Sequence, residues 1–134
     1  DVVVALLDGY LGTENQRERE LYADTVRHMR QPEMVPALKY IVDGEKTGSF
    51  DAIGLAACDT LGVIGTREAT DCLVQNFNGL TNVTTMSAVC AAIEKVGNPE
   101  SFDIILEMAR DNAVPSTLRL ASISALRNYD YGLV

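Results

Sequence analysis

The sequence predicts an all-α fold, an α-α superhelix in which antiparallel helical hairpins stack into a right-handed solenoid. Three observations predict it: a pattern repeated at a fixed offset, helix-spaced apolar residues along the chain, and glycine or proline at the expected corners. Gly65 recurs as Gly97 and Cys58 recurs as Cys90, in each case 32 residues later (97 − 65 and 90 − 58). A single helical hairpin cannot bury both of its faces, so a period of this length indicates stacking.

The composition is that of one globular domain that spans residues 1–134. Of the 134 residues, 47% are apolar and 22% are charged. The net charge is −8, from 19 acidic and 11 basic residues, and it opposes binding to nucleic acid and to anionic lipid. No apolar run approaches the roughly 20 residues that a membrane span needs. We therefore expect a protein or peptide partner with a basic surface, and neither a nucleic acid nor a membrane.

The first predicted element is a helix over residues 1–12, which we interpret as the second helix of a partial repeat. Its opening run, DVVVA, is β-branched and could instead form a short strand. Thr13 lies three residues before Gln16, which is the spacing of a capping box, so we expect Thr13 to cap the next helix. That helix should reach about Met29, and its apolar positions are Leu21, Tyr22, Val26 and Met29.

The first complete repeat is predicted over residues 13–48. Pro32 opens its second helix, because proline suits the first helical position, and Asp43 with Gly44 closes it. The connection to the next repeat, DGEKTGS, carries the glycines and polar residues of a surface loop.

The second complete repeat is predicted over residues 49–81. Ser49 is the expected cap of its first helix, and Thr66 is the expected cap of its second. Gly65 lies between the two helices, where glycine can adopt the left-handed conformation that helix ends often require.

The third complete repeat is predicted over residues 82–114, and residues 115–134 are predicted to form the first helix of a truncated repeat. Asn98 and Pro99 form the corner of the third repeat, since an amide cap followed by proline favours a helix start. The apolar positions of the last helix are Leu120, Ile123 and Leu126. Both ends of the stack lack a partner helix, so we expect a segment of a longer protein, or self-association through the open ends.

Three cysteines, Cys58, Cys72 and Cys90, lack the spacing of a metal site. We expect them to pack as small apolar residues in the core. A Cys58–Cys72 disulfide within one hairpin is the alternative. Reduced thiols favour a cytoplasmic location.

Two stretches carry a resemblance to a known family: LAACDTLGVIGTREATDCL and AVCAAIEKVGNPESFDIIL, together with the weaker match LRLASISALRNYD. They resemble the short HEAT repeats of bacterial type, often called phycobilisome-lyase-like HEAT repeats. The likeness covers about residues 15–134. Asp130 and Arg30 stand where the family has glycine, and LYADTVRHMRQPEMVPAL is the most divergent repeat. The resemblance implies a HEAT/armadillo-like solenoid whose second helices line a concave, protein-binding face.

The catalytic members of that superfamily supply tests for chemistry. HEAT-type hydroxylases hold iron with repeated His-Glu pairs, whereas this chain has one histidine, His28, followed by Met29. HEAT-like DNA glycosylases need a basic groove and aromatic residues, whereas this chain is acidic and has no tryptophan. A nucleophilic cysteine needs a neighbouring histidine or a helix N-terminus, which Cys58 and Cys90 lack. We therefore predict no catalytic residue, no cofactor and no metal site.

The remaining candidate is a surface on the second helices. Aligning the repeats gives two rows of residues that lie off the apolar stripe: Tyr40, Gln75 and Glu107, and Asp43, Asn78 and Arg110. An exposed tyrosine among hydrogen-bonding residues is a typical interface anchor. The same positions could also be ordinary solvated surface.

The sequence thus favours a non-catalytic scaffold that holds a protein or peptide along these rows. The family likeness adds an alternative, a phycobilin-lyase-like or chaperone-like protein that hands a chromophore to a partner. A regulatory segment of a larger enzyme is a third interpretation.

Overall fold

The structure, a computed structural model, describes residues 2–45 and 50–132. Eight α-helices and three short 3-10 turns form its regular structure, and neither range contains a strand. The α-helices are α1 (Val2–Gly12), α2 (Gln16–Arg27), α3 (Val35–Asp43), α4 (Ala52–Ile64), α5 (Arg67–Phe77), α6 (Val83–Glu94), α7 (Phe102–Arg110) and α8 (Ser116–Ala125). The prediction of an all-α fold is therefore confirmed.

The helices pack in two rows. In the first row α2 packs on α4, α4 on α6, and α6 on α8. In the second row α1 contacts α3 and α3 contacts α5, while the turn before α7 contacts α5. The rows meet where α3 and α5 pack on α4 and where α7 packs on α8. The core lies between the rows, and its largest fully buried side chains include Leu38, Leu61, Leu73, Ile93 and Ile105.

The amino-terminal segment is helical, so the alternative of a short strand in DVVVA does not hold for the residues described. Helix α2 then begins at Gln16, and its N-cap is Asn15, whose side chain accepts a hydrogen bond from the Glu18 backbone N–H over 3.1 Å. The prediction that Thr13 caps this helix is wrong. The Thr13 hydroxyl instead accepts from the Asn15 N–H and donates to the Glu18 carboxylate.

The next two helices begin close to the predicted places. Pro32 starts a 3-10 turn, Pro32–Met34, that leads into α3. Helix α4 is capped by Asp51, whose carboxylate accepts from the Ala52 N–H over 2.9 Å. The expected cap Ser49 lies outside the described residues.

The corner between α4 and α5 has the predicted chemistry. Gly65 has a φ of 64°, the left-handed conformation, and Thr66 caps α5 by accepting from the Ala69 N–H. Just before this corner α4 touches α6 so closely that a Cβ on Gly62 would overlap the backbone carbonyl of Ala92. The absence of a side chain at Gly62 therefore sets the spacing of these two helices.

Asparagine side chains form hydrogen bonds at the two corners nearest the carboxyl terminus. Asn98 accepts from the Glu100 N–H over 2.9 Å at the start of the 3-10 turn Pro99–Ser101, as the sequence predicts. The Asn128 amide donates to the carbonyls of Glu94 and Val96 over 2.7 and 3.0 Å. These bonds tie the end of the last helical segment to the end of α6.

Three residues assigned to the apolar stripes are exposed. Leu21, Leu120 and Ile123 have exposed fractions of 51%, 64% and 48%. Periodicity places them on an apolar side of a helix, but no neighbouring described element covers that side. In α2 it is Ala23, together with Val26, that is buried.

The cysteines are free, so the alternative of a Cys58–Cys72 disulfide does not hold. Cys58 and Cys72 are buried, as expected of core residues, and Cys90 is half-buried. Within the described ranges, none of the helices is both long enough and apolar enough to cross a bilayer.

Candidate functional site

The six residues predicted to bind a partner lie on the second row of helices. Tyr40 and Asp43 are on α3, Gln75 is on α5 and Asn78 follows it, and Glu107 and Arg110 are on α7. All six are exposed, and Tyr40 has an exposed fraction of 59%. In the described ranges, no hydrogen bond or ion pair joins any two of them. Their role in binding a partner stays a prediction.

Tyr40 lies in a groove, which we call the Tyr40 groove, between α1 and α3. The groove has a volume of about 390 Å³. Its lining residues are Val3, Val4, Glu33, Met34, Pro36, Ala37 and Tyr40. Most of these side chains are apolar, and Glu33 supplies a carboxylate at the rim. The sequence predicted the exposed tyrosine but not the contribution of α1, because the approach of α1 to α3 is a tertiary contact.

Asp43 is held in place by a residue that the sequence analysis missed. Asn76 on α5 donates a hydrogen bond through Nδ2 to Asp43 Oδ1 over 2.9 Å. The same Nδ2 donates to the Cys72 carbonyl over 2.9 Å. Asp43 therefore connects α3 to α5 through Asn76 rather than through Asn78. The spacing from Asp43 to Asn76 falls within the spread of the repeat period, so it could have identified the pair.

The starts of α5 and α7 are joined by an ion pair. Arg67 donates from one nitrogen to both carboxylate oxygens of Asp103 over 3.1 and 3.0 Å. The Arg67 guanidinium lowers the pKa of Asp103, and Asp103 raises the pKa of Arg67. Both side chains are largely exposed, so the pair should contribute little to stability.

A second groove, which we call the α6–α8 groove, lies between two helices of the first row. Its volume is about 550 Å³. Its lining residues are Val83, Met86, Ser87, Cys90, Ala91, Glu94, Thr117, Leu120 and Ala121. Val83 and Leu120 are exposed by 75% and 64%, which is unusual for large apolar side chains.

The α6–α8 groove was not predicted from the sequence, because Cys90 was expected in the core and Leu120 on the apolar stripe of the last helix. A usable signal was Glu94, which follows Gly62 by the same offset that separates Gly97 from Gly65 and therefore has the same place in the repeat. Gly62 lets α4 and α6 touch, whereas the equivalent place on α6 carries an exposed glutamate that lines the groove.

A third concave region, with a volume of about 530 Å³, lies at the last corner and is lined by three aromatic side chains among others. The ring of Phe102 contacts Tyr129 and Tyr131 edge-on, with centroids 5.1 and 6.0 Å apart. The Tyr129 hydroxyl donates to the Asn98 carbonyl, and the Tyr131 hydroxyl donates to the Leu126 carbonyl. With both hydroxyls engaged, this cluster stabilises the end of the chain.

The thiols lack the environment of a nucleophile. Burial raises the pKa of Cys58, and burial followed by the charge of Asp43 raises the pKa of Cys72 to about 12. Burial also raises the pKa of Cys90, although the Thr117 hydroxyl opposes that shift. A raised thiol pKa leaves little thiolate near neutral pH.

Histidine and the carboxylates do not assemble a metal site in the part of the chain that the structure describes. His28 lies at the end of α2, and its Nδ1 lies 2.8 Å from the Asp24 carbonyl. This contact is local to one helical turn.

No protein-family model matches this chain, and no curated protein matches it either.

Proposed function

We propose that this protein is a non-catalytic scaffold that binds a protein or peptide segment on its second row of helices. The Tyr40 groove carries the proposal. A tyrosine ring that is 59% exposed stands beside a concave apolar surface formed by Val4, Met34 and Pro36. Tyrosine anchors are common at protein interfaces, because the ring buries a large area and loses little conformational entropy.

The proposal includes a right-handed HEAT-like solenoid. Supporting it, the helices pack in two rows, in which α2, α4, α6 and α8 follow one another in the first row, and α1, α3 and α5 in the second, with the turn before α7 against α5. Polar contacts also recur between neighbouring repeats at separations of 33, 34 and 36 residues, from Asn76 to Asp43, from Thr60 to Val26 and from Arg67 to Asp103. Contacts that return at the repeat period are typical of a stack in which each unit touches its neighbours.

The charge of the surface indicates the kind of segment that fits. Glu33 lines the Tyr40 groove, Asp43 is exposed on the same helix as Tyr40, and the whole chain carries a net charge of −8. A segment with an apolar side chain next to lysine or arginine would fill the groove and meet these carboxylates. Glu107 extends the acidic character to α7.

Selection from a displayed peptide library tests the proposal, with the wild-type protein as the target. Peptides are selected on the wild-type protein alone, and their affinities for the wild type and for each variant are measured by fluorescence anisotropy. Tyr40→Ala should weaken binding by about 10-fold or more, the loss expected for an interface anchor. Glu107→Ala should weaken binding to a smaller extent if the bound segment also contacts α7.

Val63→Ala is the matched control, since Val63 is exposed by 41% and lies outside both named grooves. It should leave the affinities unchanged. Undiminished binding by the Tyr40→Ala and Glu107→Ala double variant would remove this surface as the binding site.

The chromophore-carrying alternative rests on the family likeness. Co-expression with a linear tetrapyrrole would separate it from the scaffold function, because a carrier should purify with bound colour. We place the scaffold first because the Tyr40 groove supplies a specific surface for it.

A further inference from the structure

The α6–α8 groove is a second exposed apolar surface, separate from the Tyr40 groove in sequence and in the helices that form it. The α6 side of the groove follows one helical stripe, through Val83, Met86, Cys90 and Glu94. Leu120 forms the opposite wall on α8. The small residues that line the groove are Ser87, Ala91 and Ala121, of which Ala121 is buried and the other two are exposed.

The shape of the groove fits a helix. Its α6 stripe runs from Val83 to Glu94, the full length of α6, which corresponds to about 16 Å of helix. An apolar groove between two helices suits an amphipathic helix, because the anchors of such a helix recur at i, i+3, i+4 and i+7. A bound helix of about three turns would lie along the groove, over the junction of α6 and α8.

The charge of the groove selects a basic helix. None of the lining residues that the structure describes is basic, and Glu94 places a carboxylate at one end. The Glu94 side chain forms no ion pair within the described ranges. Of the basic residues nearby in sequence, Lys95 pairs with Asp59, Arg127 donates to Ser124, and Arg119 on α8 is not among the lining residues.

We infer that the α6–α8 groove binds a short amphipathic helix with a basic polar face, supplied by another protein. The apolar stripe of that helix packs between Val83 and Leu120, and a lysine or arginine near one end pairs with Glu94. This site is independent of the Tyr40 groove. The protein would therefore hold two segments at once, which is how a scaffold brings two partners together.

Cys90 provides a direct readout, because its half-buried sulfur lies in the groove while Cys58 and Cys72 are buried. The probe is a synthetic amphipathic peptide of about 16 residues, long enough to exceed the groove, with leucines at helical spacing and lysines on the other face. The rate of modification of Cys90 by a maleimide is followed by mass spectrometry as peptide is added. The peptide should slow this rate in a saturable way.

Two surface variants test the contacts. Leu120→Ala should weaken protection by about 10-fold, since it removes an apolar anchor. Glu94→Gln should weaken it by about two- to fivefold at low salt, the usual contribution of an exposed ion pair. Tyr40→Ala should leave protection unchanged, so failure here and failure of the scaffold surface at Tyr40 are distinguishable. Circular dichroism of each variant confirms that the helices are retained.

Matched peptides decide the outcome. A peptide with glutamate in place of lysine should protect less, and a scrambled peptide without the apolar stripe should not protect. Equal protection by all three peptides, or none by any, would overturn the inference. Protection that grows with protein concentration in the absence of peptide would overturn it in favour of a second copy of the chain. Protection by an apolar dye but not by the basic peptide would overturn it in favour of a small molecule.

Discussion

The hydroxyl of Ser101 donates a hydrogen bond to the carbonyl of Gly65 over 2.7 Å, although the two residues are 36 positions apart. The same hydroxyl lies 2.9 Å from the Thr70 hydroxyl. All three residues are buried. The network joins the corner between α4 and α5 to the turn before α7 through polar atoms removed from water.

Replacing Ser101 with alanine should destabilise the fold. The substitution leaves the Gly65 carbonyl with only a long contact to Thr70, at 3.5 Å, and a buried unsatisfied polar group costs about 1–3 kcal/mol. Urea unfolding monitored by circular dichroism measures the change. Ser87→Ala is the control, because Ser87 is exposed on α6, and it should change the unfolding free energy by less than about 0.5 kcal/mol. Equal losses in the two variants would show that the buried network adds no stability.

Gly62→Ala should destabilise the protein through the contact between α4 and α6. The new Cβ would overlap the backbone carbonyl of Ala92, and backbone cannot move aside as a flexible side chain can. Overpacking of this kind costs about 1–3 kcal/mol or more, whereas alanine in an unconstrained helix is favourable. Gly12→Ala, where nothing lies within 4 Å of the new Cβ, is the matched control in the same unfolding experiment. A Gly62→Ala variant as stable as Gly12→Ala would contradict the close approach of the two helices.

These contacts show how far the sequence alone could go. The corners at Gly65 and Asn98 were predictable, because each depends on the chemistry of two or three adjacent residues. The cap at Asn15 was missed because Thr13 offers a second oxygen two residues away, and both engage Glu18 in the structure. Local spacing cannot rank two such acceptors.

The candidate sites also contain features that the sequence could predict and features that it could not. The exposure of Tyr40 follows from its place off the apolar stripe, which is a property of one helix. The groove beside it needs Val4 of α1, and the α6–α8 groove needs Leu120 on an uncovered side of α8. Periodicity identifies an apolar stripe, but it does not say whether another helix covers it.

The pH dependence of stability should contain a contribution from Glu45. Burial raises the pKa of Glu45 above its ordinary value of 4.5, and the charge of Asp51 adds to the rise. The folded state therefore disfavours the ionised form. The stability associated with neutral Glu45 is present below the unfolded-state pKa and is lost as the pH rises through the raised folded-state pKa.

Glu45→Gln should accordingly be more stable than the wild type at pH 7, and the difference should vanish near the ordinary pKa of about 4 and below it. Urea unfolding of both proteins across this pH range gives the comparison. Glu20→Gln removes the same charge from an exposed position, and its effect should stay within about 0.5 kcal/mol at either pH. A Glu45→Gln variant that is less stable than the wild type at pH 7 would contradict a burial penalty at this site.

The three thiols should react in an order set by burial. Cys58 and Cys72 are 0% and 1% exposed, whereas Cys90 is half-buried in the α6–α8 groove. Burial raises the pKa of all three, so exposure rather than acidity should decide the rate with Ellman's reagent. The native protein should show one faster thiol, and denaturant should expose the other two. Cys90→Ser should remove the faster phase and Cys72→Ser should retain it, since only the first substitution changes the groove. A faster phase that survives in Cys90→Ser would mean that the core around Cys58 or Cys72 opens more readily than the groove admits reagent.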